Sequence, residues 1–248
     1  MAEQKKKQRT GAGTRAGSCD SRNRFNNPAS LPTRSFSRGA AARPQTSGRK
    51  GSGAGKSAAG LVRIVGGRFK RTPLAVADRE GLRPTPERVR ETLFDWLTHL
   101  FGGLDDCTCC DMFAGSGALG LEAASRGARR VVSLELDRRG CAALRSVVER
   151  LSAADVVEVV QADSLSWMAA AKEVFDVVFI DPPFASELQL KALAAALPHL
   201  SDHGLVYLES DREIAEEDLL AAGAQSVRAG RAGAVFYRLV ERRSPQES

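Results

Sequence analysis

A chain of 248 residues, 43% of them hydrophobic, is long enough for one domain with a sizeable core, and no apolar run approaches the roughly 20 residues that span a bilayer. The net charge of +6 is unevenly placed: residues 1–60 carry 13 Lys/Arg against 2 Asp/Glu (+11), and residues 61–248 carry 23 against 28 (−5). This asymmetry points to a polyanionic partner, nucleic acid being the commonest.

Residues 1–60 are rich in Gly, Ser, Ala, Arg and Lys. They hold too little apolar surface to offset chain entropy, and a disordered basic tail is expected. Within it, Gly55-Lys56-Ser57 imitates the end of a phosphate-binding loop, but the earlier glycine is replaced by Lys50 and no strand leads in. The start shows no charged, apolar and cleavage regions in series, and the five cysteines (Cys19, Cys107, Cys109, Cys110, Cys141) have no regular pairing. Both suggest reduced thiols and a cytoplasmic protein. Cys107-Thr108-Cys109-Cys110 lacks zinc spacing and reads as a buried strand of small residues, so no metal is expected.

The pattern changes at Leu61. Val62–Val65 predicts a short strand closed by Gly66-Gly67. Arg83-Pro84-Thr85-Pro86 is a turn, in which Thr85 is expected to cap a helix that has Pro86 at its first position and runs to about Leu100. Val89, Leu93, Leu97 and Leu100 would form its core face. Strand-like runs then fall near 108–113, 130–135, 156–160, 175–181 and 204–209, and helical ones near 117–126, 138–151, 164–171, 187–199 and 214–222. The alternation predicts an α/β fold with a parallel sheet and helices on both faces. Gln225–Ala229 and Ala234–Val240, joined by a glycine-containing turn, predict an antiparallel hairpin that brings the sheet to seven strands. The expected division is a tail at 1–60, a hairpin and helix extension at 61–100, the main domain at 101–243 and a disordered end at 244–248.

The first strand of the main domain runs into Asp111-Met112-Phe113-Ala114-Gly115-Ser116-Gly117-Ala118-Leu119-Gly120. Glycines at a strand-to-helix turn let a ligand approach the backbone, but alone they suit a dinucleotide equally well. Asp111 argues otherwise, because a carboxylate there can pair with an ammonium and would repel a pyrophosphate. Glu135 ends the next strand about 20 residues after Gly115, the usual interval for a ribose-binding acid. Together they describe a nucleoside with a cationic amino-acid arm, which S-adenosylmethionine fits. Asp163 follows the third strand, where it could meet an adenine amino group or simply cap the next helix.

Asp181-Pro182-Pro183-Phe184 follows the fourth strand. The double proline makes a stiff turn that holds the Asp181 side chain and the Pro182 carbonyl as acceptors for the two N–H bonds of an amine. Phe184 offers a face for stacking a base. An exocyclic amine has its lone pair delocalised into the ring, so acceptors that orient it matter more to methylation than a strong base does.

With these residues in view, Asp111–Gly117, Leu134-Glu135-Leu136-Asp137 and Asp181–Phe184 resemble the motifs of Rossmann-like class I S-adenosylmethionine-dependent methyltransferases acting on base amines. Upstream, Gly66-Gly67-Arg68, Leu82–Thr85 and Arg88–Leu97 are similar to the bacterial RsmD family, over about residues 61–240. That family methylates N2 of one guanine in small-subunit (16S) ribosomal RNA. The resemblance implies that Asp111, Phe113, Gly115 and Gly117 bind the methionine end of the cofactor. Glu135 and Leu136 would hold the ribose, Ala162 and Asp163 would meet the adenine, and Asp181, Pro182 and Phe184 would hold the target base. It further implies that Arg68, Arg83, Thr85 and Arg88 grip RNA, each arginine having a solvated salt bridge as its alternative. A monomer acting on rRNA in the small subunit or an assembly intermediate is expected, with direct in-line transfer to a flipped-out base. The competing readings are a DNA amino-methyltransferase, for which no target-recognition region is visible after residue 185, and a catalytically silent RNA-binding protein, which would not need Asp181 or the glycines.

Overall fold

The computed structural model describes residues 61–75, 85–183 and 188–243. A two-stranded antiparallel ribbon, β1 (Leu61–Arg63) and β2 (Pro73–Ala75), leads to helix α1 (Glu87–Phe101). The chain then alternates: β3 (Thr108–Asp111), α2 (Ala118–Ser125), β4 (Arg130–Glu135), α3 (Arg138–Arg150), β5 (Val157–Gln161), α4 (Ser164–Ala170), β6 (Phe175–Ile180), α5 (Gln189–Ala196) and β7 (Leu200–Ser210). After α6 (Glu216–Ala221), β8 (Ala224–Ala232) and β9 (Val235–Arg242) form the hairpin expected from the sequence. No helix among the described residues is long and apolar enough to cross a membrane.

The seven strands lie in the order β5-β4-β3-β6-β7-β9-β8. Strands β3 to β7 are parallel, and β9 enters antiparallel between β7 and β8. Successive strand residues face opposite ways, so Cys109, Val131, Val177 and Phe179 pack with α1, α2 and α3, whereas Cys110, Val132, Val178 and Ile180 pack with α4, α5 and α6. This is the Rossmann-like class I methyltransferase architecture. The chain runs outward from β3 to β5 and returns to β6 on the other side of β3, which opens a crevice at the carboxyl ends of β4, β3 and β6. Cys107, Cys109, Cys110 and Cys141 are buried, and burial pushes the Cys109 and Cys110 thiols above the usual range.

Two local expectations change. Strand β1 ends at Arg63; Ile64 N–H still reaches the Thr72 carbonyl at 3.1 Å, and the Val65 and Gly66 N–H groups then turn away to the two carboxylate oxygens of Glu122, both at 2.7 Å. Thr85 does not cap α1. Pro86 occupies the cap position without a side-chain bond, and the Thr85 hydroxyl is turned inward.

Glu122, fully buried on α2, joins the extension to the main domain. It also accepts from Arg126 Nε at 2.8 Å and faces the Arg90 guanidinium at 3.7 Å. Three residues on, the Ser125 hydroxyl accepts from Phe69 N–H at 2.8 Å and donates to the Gly66 carbonyl. Glu122→Ala would strand a buried arginine and two amides, a loss of about 3–5 kcal/mol. A fall in melting temperature of roughly 10 °C is expected by circular dichroism; a change within about 1 kcal/mol would mean the carboxylate joins nothing of consequence.

Candidate active site

The crevice is ringed by acids at strand ends. Asp111 ends β3, Glu135 ends β4 and Asp181 follows β6. Asp111 is 2% exposed, and its Oδ2 accepts from the Gly120 N–H of α2 at 3.0 Å. That approach requires glycine, since a Cβ on Gly120 would lie 2.9 Å from Ser133 Oγ and 3.3 Å from Asp111 Oδ2. Gly115 (φ 50°) and Gly117 (φ 77°) take the left-handed conformation that turns the strand into the helix.

Glu135 braces this loop. Its Oε2 accepts from Gly115 N–H at 2.9 Å and its Oε1 from Asp137 N–H at 2.8 Å. A carboxylate oxygen has two lone pairs, so each retains capacity for a ribose hydroxyl. Leu136, next to it, is 67% exposed, an apolar side chain at the rim of the crevice. Phe113 and Ala162 are half-buried, and Ala162 N–H donates to the Glu135 carbonyl at 3.2 Å. The Ser164 hydroxyl donates to the Met112 carbonyl and ties the start of α4 to the same strand end.

Asp163 caps α4. Its Oδ1 accepts from Ser166 N–H at 2.9 Å, and Ser166 holds its carboxyl below the ordinary range. The cap is thus the role its geometry displays; the residue is exposed, with a second oxygen beyond that bond.

Asp181 accepts from the Thr85 hydroxyl at 2.9 Å, and burial raises its carboxyl well above the ordinary range. Pro182 is buried beside it. Asp111 is pushed up to about 7, chiefly by burial, with Asp181 and Glu135 adding like-charge repulsion and backbone bonds opposing. Three carboxylates thus share a desolvated corner, an arrangement that favours a cation.

Comparison with known proteins places the chain in a family. Residues 62–241 match the family model described as Conserved hypothetical protein 95. The chain is 39% identical over 194 residues to Ribosomal RNA small subunit methyltransferase D of Escherichia coli (strain K12), spanning 77% of this chain and 96% of that one. It is 38% identical over 162 residues to the protein of the same name in Haemophilus influenzae, covering 63% of this chain and 82% of that one. The solved structure described as "Putative methyltransferase yhhF" from Escherichia coli superposes with a TM-score of 0.64 at 38% identity, covering 75% of this chain and all of that one. The chain belongs to the RsmD family.

Within this RsmD fold the residues expected to grip RNA separate. Arg68, at the turn between β1 and β2, is exposed, with its guanidinium 5.3 Å from the Phe69 ring centre, and Arg88 is exposed on the first turn of α1. Thr85 is 5% exposed, and its hydroxyl points inward to the half-buried Asp181 carboxylate. Arg83 and Phe184 lie outside the described residues.

The sequence reading overlooked Glu209. This residue sits on β7, 1% exposed, and accepts from the Tyr207 hydroxyl at 2.7 Å. The signal was present in Leu205-Val206-Tyr207-Leu208-Glu209, an apolar run closed by an acid like the runs that lead to Asp111, Glu135 and Asp181.

Proposed function

We propose that the chain transfers a methyl group from S-adenosylmethionine to the exocyclic N2 amine of a guanine in small-subunit (16S) ribosomal RNA. The observation that carries the reading is the buried acidic corner. Asp111, Glu135 and Asp181 converge on the crevice, and burial with like-charge repulsion raises Asp111 to about 7. The donor set fits the cofactor: Asp111 would face its ammonium and Glu135 its ribose hydroxyls, over a backbone opened by Gly115 and Gly117. When bound, S-adenosylmethionine supplies an electrophilic methyl on a cationic sulfur. The likeness to enzymes named for methylating small-subunit ribosomal RNA supports that RNA as the substrate class.

Asp181 does the orienting. With one oxygen held by Thr85, the other is the acceptor for an N–H of the target amine, and the Pro182 carbonyl, fixed by the double proline, is the second. Two acceptors at a rigid strand end aim the nitrogen lone pair toward the methyl and favour its rehybridisation. The base must leave its stack to reach this depth.

The test is transfer of labelled methyl from S-adenosylmethionine to small ribosomal subunits that lack the modification, with duplex DNA in parallel. Label that digests to N2-methylguanosine is the expected result. Label in DNA alone, or in neither, would overturn the reading.

A further inference from the structure

Glu209 lies beside Asp181 at the same level of the sheet. Strands β6 and β7 pair Phe179 with Tyr207 and Ile180 with Leu208, so one further step sets Asp181 against Glu209. Both are on the face that packs against α1, where Thr85 enters. The Thr85 hydroxyl has one hydrogen and interacts electrostatically with both carboxyls. That hydrogen is directed at Asp181 Oδ2 at 2.9 Å. With that hydrogen committed to Asp181, a bond between Thr85 and Glu209 would need Glu209 as its donor. Tyr207 gives its own hydrogen to Glu209 Oε2 at 2.7 Å, leaving the other Glu209 oxygen to carry the proton. The observed donors are Tyr207 to Glu209 and Thr85 to Asp181, and a protonated Glu209 would link the two.

We propose that Glu209 is a positioning residue of the methyl-transfer site: in its neutral form it fixes the Thr85 hydroxyl toward Asp181 and so keeps the negative charge on Asp181, facing the target amine. The proposal rests on the reading of Asp181 as the acceptor for that amine. Two adjoining carboxylates, Glu209 buried and Asp181 half-buried, cannot both ionise cheaply, and one shared proton is the usual outcome. Burial first, and then the neighbouring Asp181, hold the Glu209 carboxyl far above the ordinary range, in accord with its keeping that proton. Among the described residues, the other ionisable groups facing this pair are Asp111, which Asp181 repels, Tyr207 on the same strand, Tyr237 opposite Glu209 on β9, and Arg90 of α1, whose charge acts on Tyr207. Burial raises Tyr207 well above its ordinary value, so it stays a donor.

Glu209 would thus set an alkaline limit on the reaction. As pH rises through its raised value the proton is lost, Thr85 is drawn between two anions, and orientation at Asp181 fails. The experiment compares single-turnover methylation of unmodified small ribosomal subunits by wild type, Glu209→Gln, Glu209→Ala and Asp181→Ala, from about pH 6 to about pH 9, with cofactor affinity and melting curves alongside. A glutamine amide can donate to Thr85 and accept from Tyr207 without titrating. Glu209→Gln is therefore expected to stay within about threefold of the wild-type rate at neutral pH and to lose the alkaline fall. Glu209→Ala is expected to lose roughly 10-fold in rate, the value of one neutral hydrogen bond, with cofactor affinity retained. An unchanged alkaline fall in Glu209→Gln, or a wild-type rate in Glu209→Ala, overturns the proposal. Should Glu209→Ala fail to fold, the profile of Glu209→Gln decides alone. Full activity in Asp181→Ala would be a separate failure, that of the acceptor role itself.

Discussion

Asp181→Ala should lower the rate of methyl transfer by about 10³-fold while leaving cofactor affinity within a few-fold. The asymmetry follows from where the carboxylate sits. Asp181 stands just beyond the end of β6, with Thr85 on one oxygen, whereas the loop from Asp111 to Gly120 and the Glu135 carboxylate are held by bonds that do not involve it. Losing it removes the acceptor that aims the amine but leaves the cofactor side of the crevice intact. Asp181→Asn should fall between, since the amide oxygen still accepts one hydrogen bond but carries no charge. Isothermal titration with S-adenosylmethionine and single-turnover transfer, made on the same preparations, separate the two effects. If affinity and rate fell together by the same factor, Asp181 would be part of the cofactor site and the amine would need a different acceptor.

The parallel core was legible because its signals are local. Strands near 108–113, 130–135 and 175–181 and their helices follow from apolar runs bounded by glycine, proline and capping residues, and they appear within a few residues of those bounds. What shifted was decided by distant partners. Val65 looks like strand and Thr85 like a cap, yet Val65 N–H is claimed by Glu122 57 residues away and the Thr85 hydroxyl by Asp181 96 residues away. No local rule carries that information, because a buried carboxylate takes whichever donor the fold brings to it. Strand β7 begins at Leu200, ahead of the apolar run near 204–209, because Leu200 pairs with Phe175 before a register shift carries the ladder on to Val177 and Leu205.

The site shows the same division. Asp111, Glu135 and Asp181 stand out in sequence because each ends an apolar run, which in a parallel sheet places them at one edge. Glu209 meets the same criterion and was passed over because no glycine or proline motif surrounds it. Its role depends on the order of strands, since β7 is adjacent to β6 only through the crossover that α5 makes. Asp163 illustrates the converse. Its position was consistent with adenine contact or helix capping, and the bond to Ser166 displays the cap, which the sequence also allowed.

The second large effect is expected at Asp111, where stability and binding should move in opposite directions. The folded protein holds this carboxyl at about 7, above its ordinary value, because burial and the neighbouring acids oppose its ionisation. A raised carboxyl favours the folded state fully below its ordinary value, and that favour is lost as pH climbs toward about 7. The cofactor-free protein should therefore lose stability over that interval, and Asp111→Asn should remove the part of the loss due to this residue. The asparagine oxygen can still accept from Gly120 N–H. Cofactor-free Asp111→Asn is thus expected to melt several degrees above wild type at about pH 8, with the gap closing toward about pH 5. Binding should show the reverse. An ammonium facing Asp111 loses its buried counter-charge, and affinity for S-adenosylmethionine should drop by roughly 10²- to 10³-fold. Wild type saturated with cofactor should gain about 3 kcal/mol in thermal stability, and the variant little at the same concentration. If Asp111→Asn instead melted lower at every pH and kept its cofactor response, the carboxylate would be a brace for Gly120 alone. The cation that its burial calls for would then have to be met by Glu135 or Asp181.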